Sequence, residues 1–174
     1  LMVISAVVTS CSAPREIAPP PAPVPPRVVT PPPPPPPPAA ANWEDRMATP
    51  GNWMYRADAR GSVALFGPVG ADALFVMRCD TSARKVYLSR AGSRADGDAV
   101  GAMTIRASGG VRSLPTADTG ATPPYMAAAL TPTDPHLDAM VFSRGKFMVS
   151  IKGQPDLILP AWGEITRVVE DCRS

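Results

Sequence analysis

Ser143, His136 and Asp138 are the residue types of a nucleophile, a base and the group that orients the base. Acyl transfer needs all three to converge on one point, with the hydroxyl lifted out on a sharp strand-to-helix elbow. Here they are crowded into one short helical stretch with no such elbow, which predicts an exposed polar helix face and no catalytic residue. Asp96 and Asp98, in Arg94-Ala95-Asp96-Gly97-Asp98, offer oxygen ligands in alternate positions, as a calcium loop does. The remaining ligands and the terminal glutamate of an EF-hand are missing, so this segment reads as a polar hairpin tip. With one histidine, three tryptophans and three tyrosines in the chain, the motifs call for no metal and no cofactor.

Two groupings have the chemistry of binding. Ser143-Arg144-Gly145-Lys146 sets two cations where they can meet an anionic ligand or a partner's carboxylates, or simply complement the C-terminal end of a helix dipole. Trp43, Trp53 and Tyr55 follow the proline tract and form either a recognition surface or the clasp that packs the domain entrance, since aromatics bury the most area per residue. Trp43, Trp53, Tyr55, Arg144 and Lys146 are therefore the candidate binding surface.

The elements that must position them lie in residues 42–174. Residues 13–41 hold fifteen of the 24 prolines, including the unbroken run 31–38, and almost no large apolar side chain. Such a tract cannot form a core. As polyproline II, at about 3.1 Å per residue, it is a semi-rigid spacer of up to roughly 90 Å, and a ligand for aromatic grooves is its other reading. Residues 42–174 carry fifteen Lys plus Arg against fourteen Asp plus Glu, interspersed. That argues against nucleic acid as a partner, which needs a clustered basic face.

Within this domain, period-two runs separated by Gly, Pro, Asp and Ser predict strands over 62–66, 73–79, 84–90, 103–107, 125–130, 146–152 and 156–159. Two segments break that period. Asp134 can cap, Pro135 suits a first helical position and Gly145 suits a left-handed stop, which predicts a short helix with Leu137, Met140 and Val141 on one face. A second helix opens at Pro160 and puts Trp162, Ile165, Val169 and Cys172 on one stripe, with Cys172 facing the sheet. The expected fold is mainly β: an antiparallel β-sandwich or curled sheet with two short helices, preceded by a disordered Pro-rich linker.

Residues 1–8 are uncharged and apolar or small, too short for a membrane span of about 20 residues, and read as the tail of a secretory signal. Val8-Thr9-Ser10-Cys11 resembles the lipobox of bacterial lipoproteins, with Val for the commoner Leu and Thr-Ser for Ala-Gly. The resemblance implies cleavage before Cys11, a diacylglycerol on its thiol and the lipid bilayer as a partner. Ser12, where inner-membrane lipoproteins usually carry aspartate, implies the outer membrane facing the periplasm. An ordinary cleaved signal, or a leader with an incidental cysteine, is the alternative. The expected division is then a truncated signal over 1–10, the lipid-attachment cysteine and spacer over 11–41, and a globular domain over 42–174. Three cysteines in an exported chain leave one thiol to account for. With Cys11 acylated, Cys79 and Cys172 remain as a disulfide pair, two unrelated buried thiols being the alternative.

Asp134-Pro135, Leu137-Asp138-Ala139-Met140, Phe142-Ser143-Arg144-Gly145, Phe147, Leu159-Pro160-Ala161-Trp162 and Val169-Glu170-Asp171-Cys172-Arg173 resemble uncharacterised envelope proteins of Gram-negative alphaproteobacteria. Trp53 and the strand ending at Cys79 resemble, more weakly, the invasion-associated locus B family of secreted β-sandwich proteins. Neither pattern is catalytic. The expectation is a non-enzymatic, membrane-anchored envelope lipoprotein that binds or assembles with an envelope protein or peptidoglycan. The alternatives are a secreted, effector-like protein without lipid and, third, a serine hydrolase using Ser143.

Overall fold

Among the described residues, alternating burial, set by the two-residue period of extended backbone, builds nine antiparallel strands into one curled, half-barrel sheet. The computed structural model describes residues 42–93 and 101–174. The strands are β1 (Asn52–Asp58), β2 (Gly61–Gly67), β3 (Phe75–Asp80), β4 (Lys85–Ala91), β5 (Gly101–Ala107), β6 (Gly110–Asp118), β7 (Tyr125–Leu130), β8 (Lys146–Ile151) and β9 (Leu157–Pro160), in the order β1-β2-β3-β4-β7-β6-β5-β8-β9. Two helices complete the fold, α1 (Pro135–Val141) and α2 (Gly163–Arg173), with a 3-10 turn at Trp43–Asp45. In β4, Val86, Leu88 and Arg90 point inward while their neighbours stay half-exposed. In β5, Met103, Ile105 and Ala107 do the same.

The sheet bends at β6. This strand pairs with β5 from Gly101↔Thr116 to Ala107↔Gly110, then meets β7 only at Ala117↔Ala127 and Asp118↔Met126. Its first half is exposed, which is why it carries no apolar alternation to be read. The outer edges come together at the other side. Thr49 N–H donates to the Ile158 carbonyl at 2.8 Å, and Ile158 N–H donates to Thr49 Oγ1 at 2.9 Å. The chain entering β1 thus lies along β9.

Inside the curl, Phe66, Phe75, Met77, Leu88, Met103, Ile105, Met126, Phe147 and Leu159 are fully buried or nearly so. Trp53, Phe66, Phe75 and Phe147 form an edge-to-face chain with centroids 5.2 to 6.3 Å apart, the preferred aromatic geometry. Helix α1 contributes Leu137 and Met140, and α2 contributes Ile165, Val168 and Val169. Helix α2 packs on β1 to β4, and Cys172 in its last turn reaches Cys79 on β3, with sulfurs at bonding distance and Cα atoms 5.3 Å apart.

The sequence expectation departs from this fold in identifiable places. Strands β1 and β6 lie outside the runs that the sequence predicts. In α1, Asp134 caps by accepting from His136 N–H at 2.9 Å and Pro135 takes the first turn, but the helix ends at Val141. Gly145, at φ 75°, instead makes the turn into β8. Pro160 closes β9 and does not open α2, whose cap is Trp162. Trp162 is therefore off the buried stripe, at 47% exposure.

Candidate binding surface

The five candidate surface residues divide into two groups. Trp53 is a correction: at 7% exposure it is a core residue, bonded through Nε1 to the Pro160 carbonyl at 2.8 Å. Its inward position on β1 follows from pleat alternation, Met54 pointing out at 65% exposure. Tyr55, half-buried, donates to Asp171 Oδ2 at 2.7 Å and carries Arg167 over its ring at 4.3 Å. The hydrogen bond to Asp171 raises its pKa. Both aromatics fasten β1 to elements at the far end of the chain, the clasp role. Trp43 sits half-buried in the 3-10 turn.

Arg144 and Lys146 lie elsewhere, in the turn that carries α1 into β8. Lys146 pairs with Pro160 across the β8–β9 ladder, and Ala161 N–H donates to the Gly145 carbonyl at 3.0 Å. These contacts bring the 142–146 turn against the β9–α2 turn. Phe142, 74% exposed, leads into the first, and Trp162 leads out of the second. Lys146 Nζ donates across to the Arg46 carbonyl at 2.7 Å, next to Met47, which is 91% exposed. Three of the six exposed large apolar side chains among the described residues thus border one pair of strand ends, beside Arg144, whose guanidinium pairs with no carboxylate among those residues. Arg46 is paired: its Nη1 lies 2.6 Å from Asp156 Oδ2.

Sequence reading found the two cations of this surface and missed Met47, Phe142 and Trp162. The available signal was that Phe142 directly follows the apolar stripe of α1 without belonging to it. Trp162, one turn N-terminal to the first buried residue of α2, Ile165, was instead assigned to that stripe.

Ser143, His136 and Asp138 do not form the exposed polar helix face expected: His136 and Ser143 are buried, Ser143 lies beyond the end of α1, and the His136 Nε2 has no hydrogen-bond partner among the described residues. Ser143 Oγ accepts from Ser108 N–H at 3.0 Å and donates to the Lys146 carbonyl at 2.5 Å. This hydroxyl is a turn brace. The buried His136 ring lies near Arg112 and Asp134; burial pushes its pKa down, the Arg112 charge adds to that and the Asp134 charge opposes it. Asp138 pairs with Arg173 Nη2 at 2.9 Å. Asp96, Asp98, Cys11 and the proline spacer lie outside the described residues. Among the described residues no helix is long and apolar enough to cross a membrane.

The surface can offer apolar contact and positive charge to a partner. No protein-family model matches the chain, and neither a curated protein nor a solved structure matches it.

Proposed function

We propose that the chain is a lipid-anchored protein of the bacterial envelope, without catalytic activity, that presents a β-rich binding domain on a proline spacer. The observation that carries the binding role is the apolar and cationic end formed by Phe142, Trp162, Met47 and Arg144. Exposed aromatic and arginine side chains are the types that dominate protein–protein contacts. The absence of catalysis is supported by the engagement of Ser143 with two backbone groups.

The anchor rests on Val8-Thr9-Ser10-Cys11 and on Ser12, which together favour an acylated Cys11 in the outer membrane facing the periplasm. Two or more acyl chains make such anchoring durable. The partner class that fits best is an envelope protein with an apolar patch rimmed by carboxylates.

A photo-crosslinking side chain placed at Phe142, in cells carrying either the native chain or Cys11→Ala, tests both parts. The native chain should fractionate with membranes and yield a discrete protein adduct, and Cys11→Ala should move to the soluble fraction. A native chain already soluble would favour the secreted, lipid-free form. An adduct to glycan strands alone would replace the protein partner by peptidoglycan.

A further inference from the structure

The β3–β4 turn and the last turn of α2 meet over the disulfide. Cys79 is fully buried, on the inward face of β3. Cys172 is half-buried, packs against the core and places Sγ 3.4 Å from the Lys85 carbonyl. It also lines an open pocket of about 300 Å³ walled by Arg84, Thr131, Pro132, Thr133 and Arg173. One cysteine of the bridge, Cys172, therefore lines a space large enough for a small thiol, while Cys79 is fully buried.

The pocket wall is cationic. Arg84 is exposed and pairs with no carboxylate among the described residues, and Lys85 follows it. Arg173 is partly neutralised by Asp138 at 2.9 Å and held to the Pro132 carbonyl at 2.9 Å. The nearest acid on α2, Asp171, is engaged by Tyr55. Arg84 is also the non-glycine residue at positive φ among the described residues, 51°, a conformation in which a Cβ crowds the following carbonyl oxygen.

Such a conformation persists when its surroundings fix it, and Asp80 does so here. Its Oδ1 accepts from Ser82 Oγ at 2.8 Å and from Ala83 N–H at 2.9 Å, and its Oδ2 takes Arg60 Nη2 at 2.6 Å. The turn is thus locked in a form that sets an uncompensated guanidinium at the rim of a pocket whose wall includes a cysteine of the disulfide.

We propose that this pocket is a thiol–disulfide exchange site for anionic thiols, with Cys172 Sγ the atom attacked. An incoming thiolate forms a bond to Cys172 Sγ as the Cys172–Cys79 bond breaks. The electron pair leaves on Cys79 Sγ, which takes a proton. The incoming sulfur is oxidised to the disulfide level and Cys79 is reduced to a thiol, so the exchange balances without a further reactant. Helix α2 keeps its seat through Ile165, Val168 and Val169, each at most 1% exposed, so the adduct forms on a folded domain. Cys79 thiolate can then displace the bound thiol from Cys172 and restore the bridge, or a second thiolate can attack the sulfur of the bound thiol, which leaves as a small-molecule disulfide with Cys172 released as a thiolate, giving the dithiol.

The test exposes the native chain to glutathione (anionic), 2-mercaptoethanol (neutral) and cysteamine (cationic) at equal thiolate concentrations. Adducts are trapped by alkylation and read by mass at the peptides carrying Cys79 and Cys172. The expected result is an adduct on Cys172 with alkylated Cys79, formed roughly fivefold faster with glutathione than with cysteamine at low salt. The spread should collapse at about 1 M salt. Arg84→Gly, which takes positive φ without strain, should keep the fold and lose most of the preference. Adducts on Cys79, equal rates for the three thiols, or reaction only at the rate of global unfolding would each overturn the proposal.

Discussion

Trp53 Nε1 donates to the Pro160 carbonyl at 2.8 Å, joining the first strand of the sheet to the last across residues 107 apart in sequence. The indole does two things at once: its faces pack edge-on against Phe66 and Phe75, and its one donor satisfies a carbonyl at the end of β9. Together with the Thr49–Ile158 bonds it brings the two outer strands of the curl against each other.

The two roles separate by substitution. Trp53→Phe retains the packing and leaves the Pro160 carbonyl unpaired, so it should cost about 1 to 2 kcal/mol. Trp53→Ala opens a core cavity as well and should cost about 3 to 5 kcal/mol. Denaturant unfolding under non-reducing conditions, with unchanged m-values, would show the difference. A Trp53→Phe variant as stable as the native chain would mean that the hydrogen bond contributes nothing, and equal losses in the two variants would mean that the packing adds nothing to it.

Most of the sheet is legible in the sequence because its strands bury one face. The period-two runs at 62–66, 84–90, 125–130 and 146–152 coincide with β2, β4, β7 and β8 to within a residue or two at each end. Strand β6 hides because its first half packs on neither face and because Pro115 argues against a strand; Pro is tolerated there only where its missing N–H faces no partner. Strand β1 hides because Trp53 and Tyr55, its inward positions, fit a recognition surface or a packing clasp equally well, and neither reading requires a strand. Of the binding surface, the cations could be read because a helix end was expected to place them. The exposure of Phe142 and Trp162 is set by where the helices stop and start, and local pattern fixes those boundaries least well.

Acid should destabilise the domain in two stages with different owners. Burial lowers the pKa of His136, the chain's one histidine, below its ordinary 6.5. The unfolded chain then binds the proton more readily, so stability is full above about pH 7 and falls as pH drops through 6.5, levelling off below the folded pKa. Asp80 runs the usual carboxylate course: the hydrogen bond from Arg60, then those from Ala83 and Ser82, hold it well below 3.8. Its contribution is present above about pH 4 and lost as pH falls through the folded value. Thermal unfolding followed from pH 8 to 3 should show the whole of the first decline and the onset of the second, and His136→Gln should flatten only the first. A first decline that survives this substitution would assign it to another group.

Ser143→Ala separates a brace from a nucleophile. The hydroxyl bonds Ser108 N–H and the Lys146 carbonyl, so its removal leaves two backbone groups unpaired and should cost about 1 to 3 kcal/mol. An active-site serine probe should label neither form. Labelling of the native chain that disappears in Ser143→Ala would reinstate a hydrolase.

The disulfide closes a loop with a sequence separation of 93, worth about 4 to 5 kcal/mol in the chain-entropy model. Either cysteine removed loses that term, so the two single variants should not add in the double. Cys79→Ala should cost about 1 kcal/mol more than Cys172→Ala, because Cys79 is wholly buried and leaves a void. Urea midpoints of the three variants and of the reduced native chain would check the ranking.

At Trp162 stability and binding should move in opposite directions. The residue occupies the N-cap of α2 with extended backbone, φ −97° and ψ 170°, yet its side chain makes no capping bond. Ser at that position accepts from the free N–H groups of the first turn, so Trp162→Ser should stabilise the domain by about 0.5 to 1 kcal/mol. It also removes an indole that is 47% exposed beside Phe142 and Arg144, so partner capture by the crosslinker at Phe142 should fall sharply. A residue selected for packing would give the reverse, with lower stability and unchanged capture. Lower stability is not expected, because the indole makes no capping bond that Ser would fail to replace.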